Sequence, residues 1–344
     1  MTGNRLSPLL ALSLVLALLL LALASVAVGS TEISLRDVGA AILAALGAPA
    51  GDAPSPAVQR IVLDLRLPRT LLALLVGAGL AWVGMVLQTV TRNDLADPFL
   101  FGLSSGAAAG AVGVIAIVGD LLGRWTLPAA AFVGGMLAAA SVLLLAARSR
   151  GAGPERMVLA GLAVSFLFSA ITNVLVFSGD QRAVRTVLFW SLGGLGLARW
   201  DNLAIALAGL SALLLYGVRR RHALDALLAG DDTAHSLGID PQRVRTEAFV
   251  VAAFATACFV ALSGVIGFVG LMVPHLARAL GGPLHARALP LSALLGALLL
   301  VASDIASRTL MAPQELPVGV VTASIGALFV IGMLWREQGD GQRT

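Results

Sequence analysis

Long apolar runs separated by short polar breaks dominate the chain, and they predict ten membrane segments, at approximately 9–29, 67–88, 98–118, 126–147, 157–177, 200–218, 246–265, 269–280, 287–306 and 317–335. A bilayer core about 30 Å thick needs roughly 20 apolar residues per helix, and backbone polar groups must be satisfied inside each segment, so helices are the expected spanning elements. A membrane barrel would show short alternating strands instead, and the sequence has no such pattern. The eighth run is too short to span at ~1.5 Å per residue unless it is half-buried in protein, which marks a re-entrant or broken element. The expected fold is all-α: one polytopic membrane domain over residues 1–344. Its first run, Leu9 to Val28, follows Arg5 and ends near an Ala-Ser-Val-Ala stretch resembling a leader cleavage site. That run is as long as a full span, so it is expected to remain as a first helix.

Local punctuation refines the pattern. Asp97-Pro98 predicts an N-cap and first helical proline for the third segment, and Glu315-Leu316-Pro317 does the same for the last. Gly102, Gly106 and Gly110 recur every four residues, a small-residue stripe that suits internal bundle packing or a dimer seam. Between Arg219 and Arg245, Leu224, Leu227 and Leu228 give an apolar face to a short helix. Gly230-Asp231-Asp232 breaks it, Ala234 to Leu237 continues, and Asp240-Pro241 caps a second helix. Two short helices over about 223–245 would form a rigid knob, able to fit a cleft in a partner.

Composition then fixes the solvent. With 58% hydrophobic and 12% charged residues and a mean hydropathy of +0.93, the chain belongs in lipid. The net charge of +4 comes from arginine alone, since there is no lysine. A phosphate-binding loop of the G-x-x-x-x-G-K-[ST] type is therefore impossible, and any ATPase must be another chain. The arginines are scattered between apolar runs and form no nucleic-acid-tracking stripe. With the N-terminus inside, the cytosolic ends and loops hold 14 of the 23 arginines, in keeping with the positive-inside rule. Trp125, Trp200 and Trp335 fall at segment ends, where amphipathic rings prefer the interface. Cys258 is the only cysteine, so intrachain disulfides and cysteine-based metal sites are excluded.

Three stretches carry a resemblance. The first is Arg66-Leu67-Pro68-Arg69 with Gly77, Gly84 and Gln88, then Arg92-Asn93-Asp94-Leu95-Ala96-Asp97-Pro98 and Gly102-Leu103-Ser104-Ser105-Gly106-Ala107. The second is the knob, A-H-S-L-G-I-D from Ala234 to Asp240. The third runs from Ser263 through Pro274-His275 and Ser303-Asp304-Ile305-Ala306-Ser307-Arg308 to Glu315-Leu316-Pro317-Val318-Gly319. Together they resemble the FecCD family, the permeases of type II ABC importers for cobalamin, haem and ferric siderophores. Two positions depart from that family's pattern, which usually has proline where Asp94 stands and where Val265 stands.

The resemblance implies a homodimer of ten-helix subunits in a bacterial inner membrane, with two cytosolic ATPase subunits, a periplasmic substrate-binding protein and no cofactor. It implies that Arg66, Arg69 and Arg308, at the outer ends of segments two and nine, pair with glutamates of the binding protein. The alternative is that Arg66 and Arg69 snorkel to headgroups while Arg308 pairs with Asp304 four residues earlier. It also implies that Ala234, Leu237, Gly238 and Ile239 form the coupling contact with the ATPase, against the alternative of a membrane-surface helix. Ser165, Ser169, Thr172 and Asn173 recur at helical spacing in segment five. They suit either the lining of a weakly polar translocation path or hydrogen bonds back to their own helix and its neighbours.

His222, His235, His275 and His285 show no ligand spacing, so structural or loop roles are expected and no metal site. No H-E-x-x-H or G-x-S-x-G motif is present to support an intramembrane enzyme, and no catalytic residue is expected. An ion-coupled secondary transporter is the stronger rival, because broken helices also mark those proteins. It would require ionisable groups deep in the bilayer, whereas most acids here fall in loops or at segment ends.

Overall fold

The computed structural model describes residues 8–29, 31–47, 54–119, 121–148, 154–179 and 181–341. Arg5, Arg150 and Arg343, which enter the charge pattern above, lie outside them. In chain order the α-helices are α1 (Pro8–Ala27), α2 (Leu35–Ala45), α3 (Pro56–Arg60), α4 (Leu67–Thr91), α5 (Leu103–Gly113), α6 (Thr126–Arg148) and α7 (Pro154–Ser178). They continue with α8 (Gln181–Ser191), α9 (Leu203–Ala229), α10 (Asp231–Ser236), α11 (Pro241–Ser263), α12 (Val269–Gly281), α13 (His285–Thr309) and α14 (Val318–Gly341). A π-helical turn, Ile61–Arg66, fuses α3 to α4, and another, Val114–Val118, extends α5.

Among the described residues, eight helices are long and apolar enough to cross a bilayer. The shorter α5 with its π turn and the 13-residue α12 complete the expected ten crossings. Their burial divides them by role. The most apolar window of Pro56–Thr91 is 83% buried, against 11% for α1 and 17% for α7, so α4 is the axis of the bundle and the other two form its rim. Helices α9, α11, α12 and α13 pack around α4, while α5 lies between α6 and α7.

Apolar side chains gain little from leaving lipid, so close backbone approach has to supply the packing. Gly77 of α4 meets Gly296 of α13, and Gly84 meets Gly270 of α12. Gly106 and Gly110 press on the α6 backbone at Gly134 and Ala130, so this stripe packs inside the subunit.

Two expectations change, a third is narrowed, and two helices are additional. Asp97-Pro98 does not cap the third segment: the Asp97 Oδ1 accepts from the Phe99 amide at 2.9 Å, closing a turn, and α5 starts six residues later, after Gly102 at φ 73°. The helix of Leu224, Leu227 and Leu228 is not separate but is the last two turns of α9, because no breaker precedes Gly230. The eighth segment, expected to be re-entrant or broken, is broken. An extended stretch from Gly264 to Phe268 leads into α12, and α13 then starts beside the end of α4, where the His285 Nε2 lies 2.8 Å from the Thr89 Oγ1. Finally, α2 and α8 were not anticipated, being helices of 11 residues each and below spanning length. Ser34 caps α2 by accepting from the Asp37 amide at 3.1 Å.

Candidate functional site

At one end of the bundle α10 forms the knob. Gly230, at φ 126°, lets the chain leave α9 at an angle that other residues rarely adopt. The Asp240 Oδ1 accepts from the Gln242 and Arg243 amides at 2.9 and 3.3 Å and starts α11. Between these two caps, Asp231 is the anchor. Its carboxylate takes the guanidinium of Arg245 at 2.6 Å and also that of Arg92. The Arg92 Nε reaches the Leu227 carbonyl at 3.1 Å, and the Arg245 Nε the Val90 carbonyl at 3.0 Å. The hydrogen bond from Arg245, helped by the nearby Arg92 charge, holds the Asp231 carboxyl below the usual carboxylate range.

The four expected coupling residues divide by exposure. Ala234 is fully buried against the bundle and Ile239 is half-buried, so they hold the knob down. Leu237, 64% exposed, and Gly238, at φ 72°, form its outward tip. The role of Asp231 was missed because a Gly-Asp-Asp string reads as a helix breaker and its partners lie 14 and 139 residues away.

At the opposite end Arg66, Arg69 and Arg308 converge on one cavity of about 300 Å3, which Glu315, Thr31 and Gly196 also line. The guanidinium of Arg66 donates to the carbonyls of Val26, at 3.0 Å, Ala27, at 2.6 Å, and Thr31, so it fastens the end of α1. Arg308 donates to the Val28 carbonyl at 2.8 Å and the Ser25 carbonyl at 3.0 Å. Asp304 is fully buried between Arg69, at 2.8 Å, and Arg308, at 3.0 Å, and Arg69 also pairs with Glu315 at 2.8 Å. The Asp304–Arg308 pair expected from sequence is present, and Arg66 is buried rather than extended toward headgroups. Three cations face two carboxylates here, so the cavity keeps a positive excess.

A third feature lies along the bundle. The unwound stretch before α12 borders a groove of about 550 Å3 lined by Phe99, Ser191, Gly267, Phe268, Gly319 and Ser324, among others. Irregular backbone at membrane depth is tolerated only where it is buried in protein or lines a cavity. No α7 residue lines this groove, and the stripe reaches it only through the backbone of Phe99. The Ser165 hydroxyl donates to the Phe99 carbonyl at 3.3 Å, while Thr172 bonds back to the Phe168 carbonyl of its own helix at 2.8 Å. Ser169 is half-buried and Asn173 exposed. The groove residues were missed because Phe268 and Gly319 sit in apolar runs, and only the glycine-rich break at Gly264–Gly267 pointed to them.

Of the structural and loop roles expected for the histidines, His285 has a structural one. It is buried at the start of α13, where its Nδ1 lies 2.7 Å from Asp225 and its Nε2 2.8 Å from the Thr89 hydroxyl. His275 packs edge-on against Phe329, while His222 and His235 are exposed. Among the described residues, no three His, Cys, Asp or Glu side chains gather as a metal site. The departure at Asp94 has a partner of its own, the guanidinium of Arg278 at 2.9 Å, which also donates to the Gln88 Oε1 at 2.7 Å.

Comparison with known proteins agrees with this architecture. The sequence profile of the FecCD transport family matches residues 16–336. The hemin transport system permease protein HmuU of Yersinia pestis is 36% identical over 341 residues, covering 98% of each chain. The Fe(3+) dicitrate transport system permease protein FecD of Escherichia coli is 38% identical over 276 residues, covering 80% of this chain and 85% of the relative. Among solved structures, a metal-chelate type ABC transporter in an inward-facing conformation superposes with a TM-score of 0.81 at 29% identity, over 96% of this chain and 99% of that one. A profile match across most of the length, with a relative aligned nearly end to end, means that this multi-pass membrane protein belongs to the FecCD transport family.

Proposed function

We propose that the chain is the permease of an ATP-driven importer that moves a metal chelate into the cytosol across a bacterial inner membrane, a ferric siderophore first, with haem or cobalamin next. It works as a homodimer with two cytosolic ATPase subunits and a periplasmic substrate-binding protein. The observation that carries this reading is the braced knob: a stiff element with an exposed apolar tip, Leu237, held to α4 and α11 through Asp231. An element fixed at its base transmits a push from a partner into the bundle, which a mobile loop does not.

The positive cavity of Arg66, Arg69 and Arg308 is the docking surface, where a carboxylate of the binding protein balances the excess cation. The groove beside Phe268 is the path, and the stripe of Ser165, Ser169, Thr172 and Asn173 continues it along α7 from the Phe99 contact. Glycine, serine and phenylalanine give such a path weak affinity, which suits a large cargo that has to be released.

Affinity purification of the solubilised chain from its native membrane tests the assembly. The ATPase is expected to co-purify, and deleting Asp231 to Ile239 is expected to release it. An ATPase that stays bound to the deleted chain contradicts the coupling role of the knob.

A further inference from the structure

We infer that the end of α13 that carries His285 holds an anionic diacyl phospholipid, its two chains in two adjoining apolar grooves along the helix and its phosphate between Arg221 and Arg287. One groove, of about 590 Å3, is walled by four helices: Leu18 of α1, Leu74 and Trp82 of α4, Leu214 of α9, and Pro290 and Leu294 of α13. The other, of about 410 Å3, lies between Ala11 and Val15 of α1 and the adjoining face of α13. Pro290 and Leu294 line both, so the grooves meet at these residues and a ligand with two chains would place one in each. Both volumes fall in the range of roughly 300–1,000 Å3 typical of ligand sites.

Charge selects the occupant. Arg221 lines the first groove and Arg287 the second, and both are exposed. Among the described residues neither has a carboxylate within ion-pair distance, whereas Arg220 and Arg243 on the neighbouring surface both pair with Glu247. Arg219, also exposed and without a carboxylate partner among the described residues, adds to the same positive field. The Arg221 Nε donates to the His222 Nε2 at 3.3 Å and neither guanidinium has a carboxylate, so two apolar grooves that open on guanidinium groups without a counter-ion match the chemistry of an acyl chain joined to a phosphate. The bound lipid would fill the space between α1 and α9, and α1 is the least buried of the spanning helices. The site does not depend on which cargo the chain carries or on any ATPase.

Native mass spectrometry of the full chain, solubilised with equal phosphatidylglycerol and phosphatidylcholine, tests the inference. Phosphatidylglycerol is expected to stay bound and phosphatidylcholine to leave, with R221Q/R287Q lowering phosphatidylglycerol occupancy about tenfold. L214W, which fills the larger groove without removing charge, is expected to lower it as well. Equal retention of the two lipids, or unchanged occupancy in either variant, overturns the assignment. So does competition by inorganic phosphate alone, which would mean a free-anion site, or a disulfide between two copies of L214C, which would put a second chain in the groove.

Discussion

Arg245 donates to Asp231 at 2.6 Å from one nitrogen and to the Val90 carbonyl at 3.0 Å from another, so one buried guanidinium joins α10, α11 and the end of α4. The outward tip of the knob lies only a few residues beyond this joint, at Leu237 and Gly238. The joint thus ties the knob to α4, the helix that packs on α9, α11, α12 and α13.

Replacing Asp231 with asparagine removes the charge shared by Arg92 and Arg245 and leaves the buried Arg245 without a counter-ion. The expected cost is about 1–3 kcal/mol, measured as a lower thermal midpoint together with reduced ATPase retention. The pH sign follows from the depressed carboxyl: its contribution is complete above the unfolded value near about 4 and is lost as pH falls through the lower folded value. The variant should show a shallower loss of stability in that acidic range. An unchanged midpoint at pH 7 contradicts the anchoring role.

Asp97 gives the opposite pH dependence. Burial pushes its carboxyl up to about 6, against which the Phe99 amide is only a partial compensation. Because the folded state favours the neutral acid, stability declines as pH rises from about 4 through 6, by about 3 kcal/mol in total. D97N keeps an acceptor for the Phe99 amide and carries no charge. Its thermal midpoint should exceed that of the native chain above pH 7, and the two should converge near pH 4. Parallel curves across that range would show that Asp97 does not titrate in this way.

Gly84 tests the packing argument. A methyl group there would overlap the Gly270 backbone, whereas one at Gly194 meets nothing within 4 Å. G84A is expected to lower stability by about 1–3 kcal/mol and G194A to leave it unchanged, both read from the thermal midpoint in detergent. Equal midpoints for the two variants would mean that α4 and α12 separate easily.

The docking surface needs a probe that leaves its ion pairs intact. Reversing the charge of Arg66 or Arg308 would break the contacts that fasten the end of α1, so such variants test folding as well as docking. Gly196 lines the same cavity, is exposed and has open space around it. A photo-crosslinking residue at position 196 should capture the binding protein. Capture at Asn173 and none at Gly196 would move the docking surface elsewhere.

The crossings were legible because bilayer thickness writes itself into the length of apolar runs, and α9, α11 and α12 begin or end where Gly230, Asp240 and Gly282 interrupt them. What stayed hidden depends on direction. Hydropathy records what Arg66 is but not that it turns inward to the carbonyls of Val26 and Ala27, nor that His285 folds under Asp225. Helices α2 and α8 were hidden because 11 residues of mixed character match no spanning period. The groove beside Phe268 was only half-visible: its glycine-rich break stood out, while Phe99 and Ser324 joined it from segments far apart in the sequence.

In the proposed function the chain hydrolyses no nucleotide itself and is driven through its knob by separate ATPases. Uptake of radiolabelled ferric siderophore into proteoliposomes tests this most directly, comparing the chain alone with the chain plus its ATPase and binding protein. Accumulation is expected only in the complete system and only with ATP. Uphill accumulation by the chain alone, driven by a proton or sodium gradient, would contradict the claim.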